Sequence, residues 1–142
     1  MILLDTNIIS EIMKPLPQTE VVKWLNQQES SQLFISTLTI AEISYGMHVL
    51  PEGRRRNQIE DAFNKVITAA FKLRVLSFDA GAGYVYGKIM ARKKSLGKPM
   101  GIPDGQIAAI AYSQGYALAT RNTRDFTGCG LELVNPFDKF ST

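Results

Sequence analysis

The chain has 142 residues, 45% of them hydrophobic and 20% charged, with a formal net charge of +3. This is the composition of one soluble globular domain, expected to span residues 1–142, with enough apolar residues for a proper core. A single cysteine, Cys129, excludes an internal disulfide, and neither a signal peptide nor an apolar run of membrane length is present, so a cytoplasmic protein is expected.

Met1-Ile2-Leu3-Leu4 reads as a short strand buried on both faces, as in a parallel sheet. It stops at Asp5-Thr6-Asn7, where Asp5 is a good N-cap for a helix carrying Ile8, Ile9, Ile12 and Met13. Pro15-Leu16-Pro17 ends that helix, and a second is predicted over residues 18–28. Leu33-Phe34-Ile35 is the next short buried strand, followed by a helix to about Val49. After Pro51-Glu52-Gly53 a long amphipathic helix is predicted over residues 54–71, with Ile59, Phe63, Val66 and Ile67 on one face. Val75-Leu76 is a minimal strand, and Asp79 caps a helix that ends near Gly97. A helix over residues 104–114 follows Pro103, with Gly115 as its terminator. Strands are predicted at residues 116–120 and 131–134. Strands alternating with helices imply an α/β fold with a parallel sheet covered on both faces.

Four acidic or amide positions fall where ligands bind in such sheets, just outside the carboxyl ends of the strands. They are Asp5, Glu42, Asp104 and the loop from Asn122 to Asp125. Each has an ordinary explanation when taken singly. Asp5 serves as a cap, and Asp104 as a first-turn acid favoured by the helix dipole. Thr39-Ile40-Ala41-Glu42 matches a capping box, and residues 120–126 form a polar loop. The joint pattern differs, because parallel topology brings these points to one edge. Carboxylates crowded there repel unless some protonate or a cation binds, and an all-oxygen cluster suits Mg²⁺ or Mn²⁺. Thr6, Asn7, Thr120 and Asn122 are short polar neighbours able to orient carboxylates or water. Other chemistries lack their residues: no P-loop, no dinucleotide fingerprint, no nucleophile elbow, and one histidine, His48, with no zinc-type cluster. Asn7, standing where a second acid is needed, argues against phosphotransfer at Asp5.

The blocks Leu3-Leu4-Asp5-Thr6-Asn7, Thr39-Ile40-Ala41-Glu42, Pro103-Asp104-Gly105-Gln106-Ile107-Ala108-Ala109 and Ala119-Thr120-Arg121-Asn122 resemble, in order and spacing, the four signature blocks of the PIN-domain family. Length and the Leu4-Asp5-Thr6-Asn7 start look like the VapC-type, FitB-like toxins of bacterial type II toxin–antitoxin systems. The resemblance implies a three-layer α/β/α sandwich with a short central parallel sheet. It implies a Mg²⁺- or Mn²⁺-dependent endoribonuclease with Asp5, Glu42 and Asp104 as its catalytic, metal-holding acids. The family's fourth acid falls where this chain has Asn122, so either Asp125 substitutes or the site runs on three. The resemblance further implies a cognate VapB-like antitoxin with a tail over the active site, a toxin homodimer and a toxin–antitoxin hetero-oligomer.

Basic residues available to track an RNA backbone are Arg54, Arg55, Arg56, Lys88, Arg92, Lys93, Lys94, Lys98, Arg121 and Arg124, of which Arg121 and Arg124 stand nearest the predicted site. A solvated helix face or cap explains any one of them alone. The alternative function is a catalytically silent PIN-fold module that binds protein or RNA, for which the replacement of an acid by Asn122 would be the signature.

Overall fold

The computed structural model describes residues 1–138. Its strands are β1 (Ile2–Leu4), β2 (Leu33–Ser36), β3 (Val75–Leu76), β4 (Ala117–Ala119) and β5 (Leu133–Val134). They form one sheet in the order β3-β2-β1-β4-β5, with every pair parallel. The helices are α1 (Thr6–Ile12), α2 (Thr19–Asn26), α3 (Thr37–His48), α4 (Arg54–Asn64), α5 (Ala80–Ser95) and α6 (Ile102–Gln114).

Strand alternation divides the core in two. Leu4 and Ile35 face a cluster with Ile8, Ile9, Trp24, Ile43 and Phe63, contributed by α1 to α4. Leu3 and Leu118 face the other way, onto Ile89, Ile107, Ala108 and Ala111 of α5 and α6. Successive side chains on a strand point to opposite faces, so a run of two leucines, 0% and 1% exposed, serves both layers. The result is the expected three-layer sandwich. Among the described residues no helix is long and apolar enough to cross a membrane.

Several boundaries differ from the sequence reading. The helix predicted over residues 54–71 is α-helical only to Asn64, and a wider π turn over Lys65–Ala70 completes it. The helix predicted to open at Asp104 opens at Ile102, with Gly101 as N-cap and Pro103 in the first turn. Pro tolerates that place because its missing N–H would have no helical partner there. Asp104 therefore sits inside the first turn, where its carboxylate meets the positive end of the helix. The Asn122–Asp125 loop closes into a short 3₁₀ turn over Thr123–Phe126. The last four residues of the expected 1–142 domain lie outside the described residues.

The topology selects one point on the sheet. From β1 the chain moves outward to β2 and β3, then crosses back to β4 on the other side of β1. Strand order reverses between β1 and β4, and the crevice outside their carboxyl ends is the favoured binding position in an open parallel sheet. Leu4 pairs with Ala119 in register, so the next residues, Asp5 and Thr120, stand side by side at that reversal.

Candidate active site

Asp5 leaves β1 as the N-cap of α1 and is buried, 6% exposed. Its Oδ1 accepts a hydrogen bond from the Thr6 backbone N–H at 2.8 Å. Its Oδ2 accepts from the Thr120 hydroxyl at 2.8 Å. Thr120 is itself fully buried and its hydroxyl accepts from the Asn122 N–H at 3.1 Å. The carboxylate is thus locked in place by β4. Burial nevertheless raises its pKa above the usual Asp value, the two hydrogen bonds offsetting only part of the desolvation.

Glu42 comes from the second turn of α3. The capping-box explanation is overturned: Ser36, not Thr39, caps this helix, its Oγ accepting from the Thr39 N–H at 3.3 Å. Thr39 lies inside the helix, and its hydroxyl meets that of Thr6 at 3.0 Å. Glu42 is therefore released from any capping duty. Partial burial raises its carboxyl pKa, a hydrogen bond with Thr6 lowers it, and the charges of Asp5 and Asp104 raise it further.

Asp104 is half-buried at the start of α6. Burial raises its pKa first, then the charges of Asp5 and Asp125. Its place depends on the next residue. A Cβ built on Gly105 would come within 2.5 Å of the Met90 sulfur and 3.0 Å of a Tyr86 ring carbon, so any side chain there would force Met90 and Tyr86 of α5 to shift.

Asp5, Glu42 and Asp104 line one cavity of about 400 Å³, together with Thr6, Asn7, Arg121, Asn122 and the Glu11–Lys14 pair. Asn7 Oδ1 accepts from the Arg121 N–H at 3.2 Å, joining α1 to the loop after β4. The Arg121 guanidinium stacks 4.6 Å from the centre of the Phe137 ring, a contact that limits the orientations available to it. The remaining predicted positions divide. Asn122 lines this cavity, while Asp125 and Arg124 line a neighbouring cleft that Asp104 also walls.

Among the described residues none of the three acids makes an ion pair, and no group of three His, Cys, Asp or Glu side chains stands close enough together to hold a metal ion as placed. The residue types suit a hard divalent cation: three carboxylates line one cavity, and two of them are raised by another's charge. Asp5, Glu42 and Asp104 would hold such an ion, with the Asn122 amide oxygen as a neutral neighbour.

Glu11 is a component the sequence reading missed. Its side chain is 3% exposed. One oxygen accepts from Lys14 Nζ at 2.9 Å and the other from the Gln18 N–H at 3.0 Å. The Lys14 hydrogen bond holds its carboxyl below the usual Glu value and outweighs a light desolvation, because the group is covered rather than deep. The signal was available: Glu11 stands three residues after Ile8, on the apolar stripe of α1.

Comparison with known proteins agrees with this geometry. A family model described as PIN domain matches residues 2–127. The chain is 39% identical to the VapC ribonuclease Y4jK of Sinorhizobium fredii over 138 residues, 97% of this chain and 99% of that protein. It is 35% identical to the toxin FitB of Neisseria gonorrhoeae over 137 residues, 96% of this chain and 99% of that one. A solved structure of FitAB bound to a DNA fragment aligns with a TM-score of 0.90 at 35% identity, covering 97% of this chain and 96% of the other.

Proposed function

The chain belongs to the PIN-domain family, and on that premise we propose that it is a metal-dependent endoribonuclease acting as the toxin of a toxin–antitoxin pair. The observation that carries the chemistry is the sharing of one cavity by Asp5, Glu42 and Asp104, none of which forms an ion pair among the described residues, the nearby Lys14 being paired with Glu11. Like charges gathered beside a buried Asp5 are costly, and a fold that keeps them together invites a cationic ligand. A Mg²⁺ or Mn²⁺ ion bound there supplies an acidified water and neutralises charge on a phosphodiester.

The chain's own residues do the rest. Asp5, fixed by Thr120 and the Thr6 N–H, presents a carboxylate of defined orientation at the end of β1. The Thr6 hydroxyl, held against that of Thr39, stands beside Glu42 and favours its ionised form. Arg121, steadied by Phe137, and Lys14 offer positive charge to a phosphate on the rim of the same cavity. Asn7 holds the Arg121 backbone and so the distance between the two walls. Asn122 contributes a neutral amide, so Asp5, Glu42 and Asp104 would be the three carboxylates to hold the metal. Asp125 lies one cleft away and acts on Asp104 through its charge.

The names of the relatives, a VapC ribonuclease and the toxin FitB, support the toxin reading. A cognate VapB-like antitoxin, a hetero-oligomer with it, a toxin homodimer and action in the cytoplasm follow from that reading. The test is incubation of antitoxin-free protein with RNA and Mg²⁺, with the new ends identified. Hydrolysis by water leaves 5′-phosphate and 3′-hydroxyl ends. A 2′,3′-cyclic phosphate would overturn the mechanism, and Mg²⁺-independent silence of a well-folded protein would favour the binding-module alternative.

A further inference from the structure

Resting on the ribonuclease reading, we infer that the cleft on the far side of Asp104 is a second RNA subsite, which takes the backbone phosphate of a nucleotide flanking the one at the acids. The cleft has a volume of about 410 Å³, and its walls include Lys93, Lys98, Gly101, Asp104, Arg124 and Asp125. Asp104 also walls the acidic cavity, so the two spaces adjoin through one side chain. A strand lying across Asp104 enters both.

Its charge has the right sign and an unusual source. Three cations face two carboxylates, and one of the cations is buried. Lys93 is 3% exposed, in the last turn of α5. Its Nζ donates to the Thr127 carbonyl at 2.7 Å. An ammonium carries three donors, and among the described residues Lys93 forms no ion pair. A buried lysine is rare unless paired. Here its charge is kept at the foot of a cleft, with two donors beyond the one Thr127 takes. Lys98 and Arg124 are exposed at the rim and free to close on a phosphate. Gly101, the N-cap of α6, also lines the cleft, so its wall there carries no side chain.

The cleft and the acids therefore divide the labour. Fixed cations hold the strand on one side of Asp104, and the carboxylates act on the other. An arrangement in which Lys93 only tied down Thr127 would need neither Lys98 nor Arg124 beside it.

The experiment measures anisotropy of a labelled single-stranded oligoribonucleotide in chelator, across a salt series, for wild type and for Lys98→Gln/Arg124→Gln. Counterion release from single strands gives a slope of about −0.7 per neutralised phosphate, so the double variant, having lost its hold on that one phosphate, is expected to bind more weakly with its slope reduced by about 0.7. Both positions are exposed, so the fold survives, and the melting temperature checks it. In Mg²⁺ the same variant should raise KM several-fold with kcat near wild type. Lys93→Met, which keeps the stem and removes the charge, should also lower the slope. A lower melting temperature with an unchanged slope would overturn its part. An unchanged slope and KM in the double variant, with wild type cleaving RNA, overturns the subsite and leaves the nuclease standing. A reduced slope in a protein that cleaves nothing leaves the subsite standing and overturns the nuclease.

Discussion

Helix α1 carries two buried carboxylates that solve burial in opposite ways. Glu11 is covered, receives a lysine and a backbone N–H, and has its pKa lowered. Asp5, at the start of the same helix, is also covered, receives a hydroxyl and an N–H but no cation, and has its pKa raised. Glu42 and Asp104 join Asp5 and are raised as well, first by burial and then by charge: Glu42 feels Asp5 and Asp104, and Asp104 feels Asp5 and Asp125. A buried acid with its counter-charge supplied is part of the scaffold. A group of acids with none supplied is poised for a ligand. Burial alone does not separate these roles; the partner does.

The largest expected effect tests that division directly. Asp104→Asn should lower Mg²⁺-dependent RNA cleavage by at least about 10³-fold, on the order of 4 kcal/mol of transition-state stabilisation. Glu11→Gln should cleave within a few-fold of wild type once folded. Equal losses in both variants, measured as initial rates at matched folded concentration, would erase the distinction.

Next in size is the response to metal. Mg²⁺ at about 100 times its dissociation constant should stabilise the wild type by roughly 2.7 kcal/mol. Glu11→Gln should keep that response and Asp104→Asn should lose most of it, as read from melting temperatures with and without chelator. A full Mg²⁺ response in Asp104→Asn would return Asp104 to the rank of an ordinary first-turn acid.

Without metal the ranking reverses. In chelator, Glu11→Gln should lose about 1 kcal/mol, since its partners stay buried with a weaker acceptor. Asp104→Asn should melt at or above the wild-type temperature, because removing one like charge relieves the other two. A clear fall for Asp104→Asn would break the comparison at its base.

The smallest effect is in pH dependence, and its sign differs between the two regions. The cluster's folded pKa values lie above the ordinary 3.8 of Asp and 4.5 of Glu. The folded state therefore binds more protons than the unfolded chain in that window. Stability from the cluster is greatest at the acid end and is lost as pH rises from the ordinary values through the raised ones. Glu11 runs the other way: its contribution is full above 4.5 and is lost as pH falls through its lowered folded value. In chelator, the stability advantage of Glu42→Gln/Asp104→Asn over wild type should thus grow from pH 4 toward neutrality. An advantage that shrinks over that range, in melts at matched ionic strength, would mean the acids are not mutually raised.

Much was determined by sequence alone, because it rests on local rules. Leu3-Leu4 before Asp5 fixes a strand and its end; alternation and helical spacing over the rest of the chain imply the parallel sandwich. Ser36 was passed over because two capping patterns overlap around Thr39, and only the fold shows which hydroxyl reaches an N–H. Thr39 turns instead to Thr6, a residue 33 positions away, and Glu42 is freed by that long-range contact. Sequence could not choose between Asn122 and Asp125, since both follow β4. The 3₁₀ turn over Thr123–Phe126 separates them by one cleft, with Asp104 as the wall between. Nor could it assign opposite fates to Asp5 and Glu11. An amino-acid pattern marks which acids are buried by one helix. Which of them meets a cation depends on the reversal of strand order beside β1 and on the loop that brings Gln18 back over α1. Those are properties of the tertiary structure, because the groups that decide a buried charge's energy come from elsewhere in the chain.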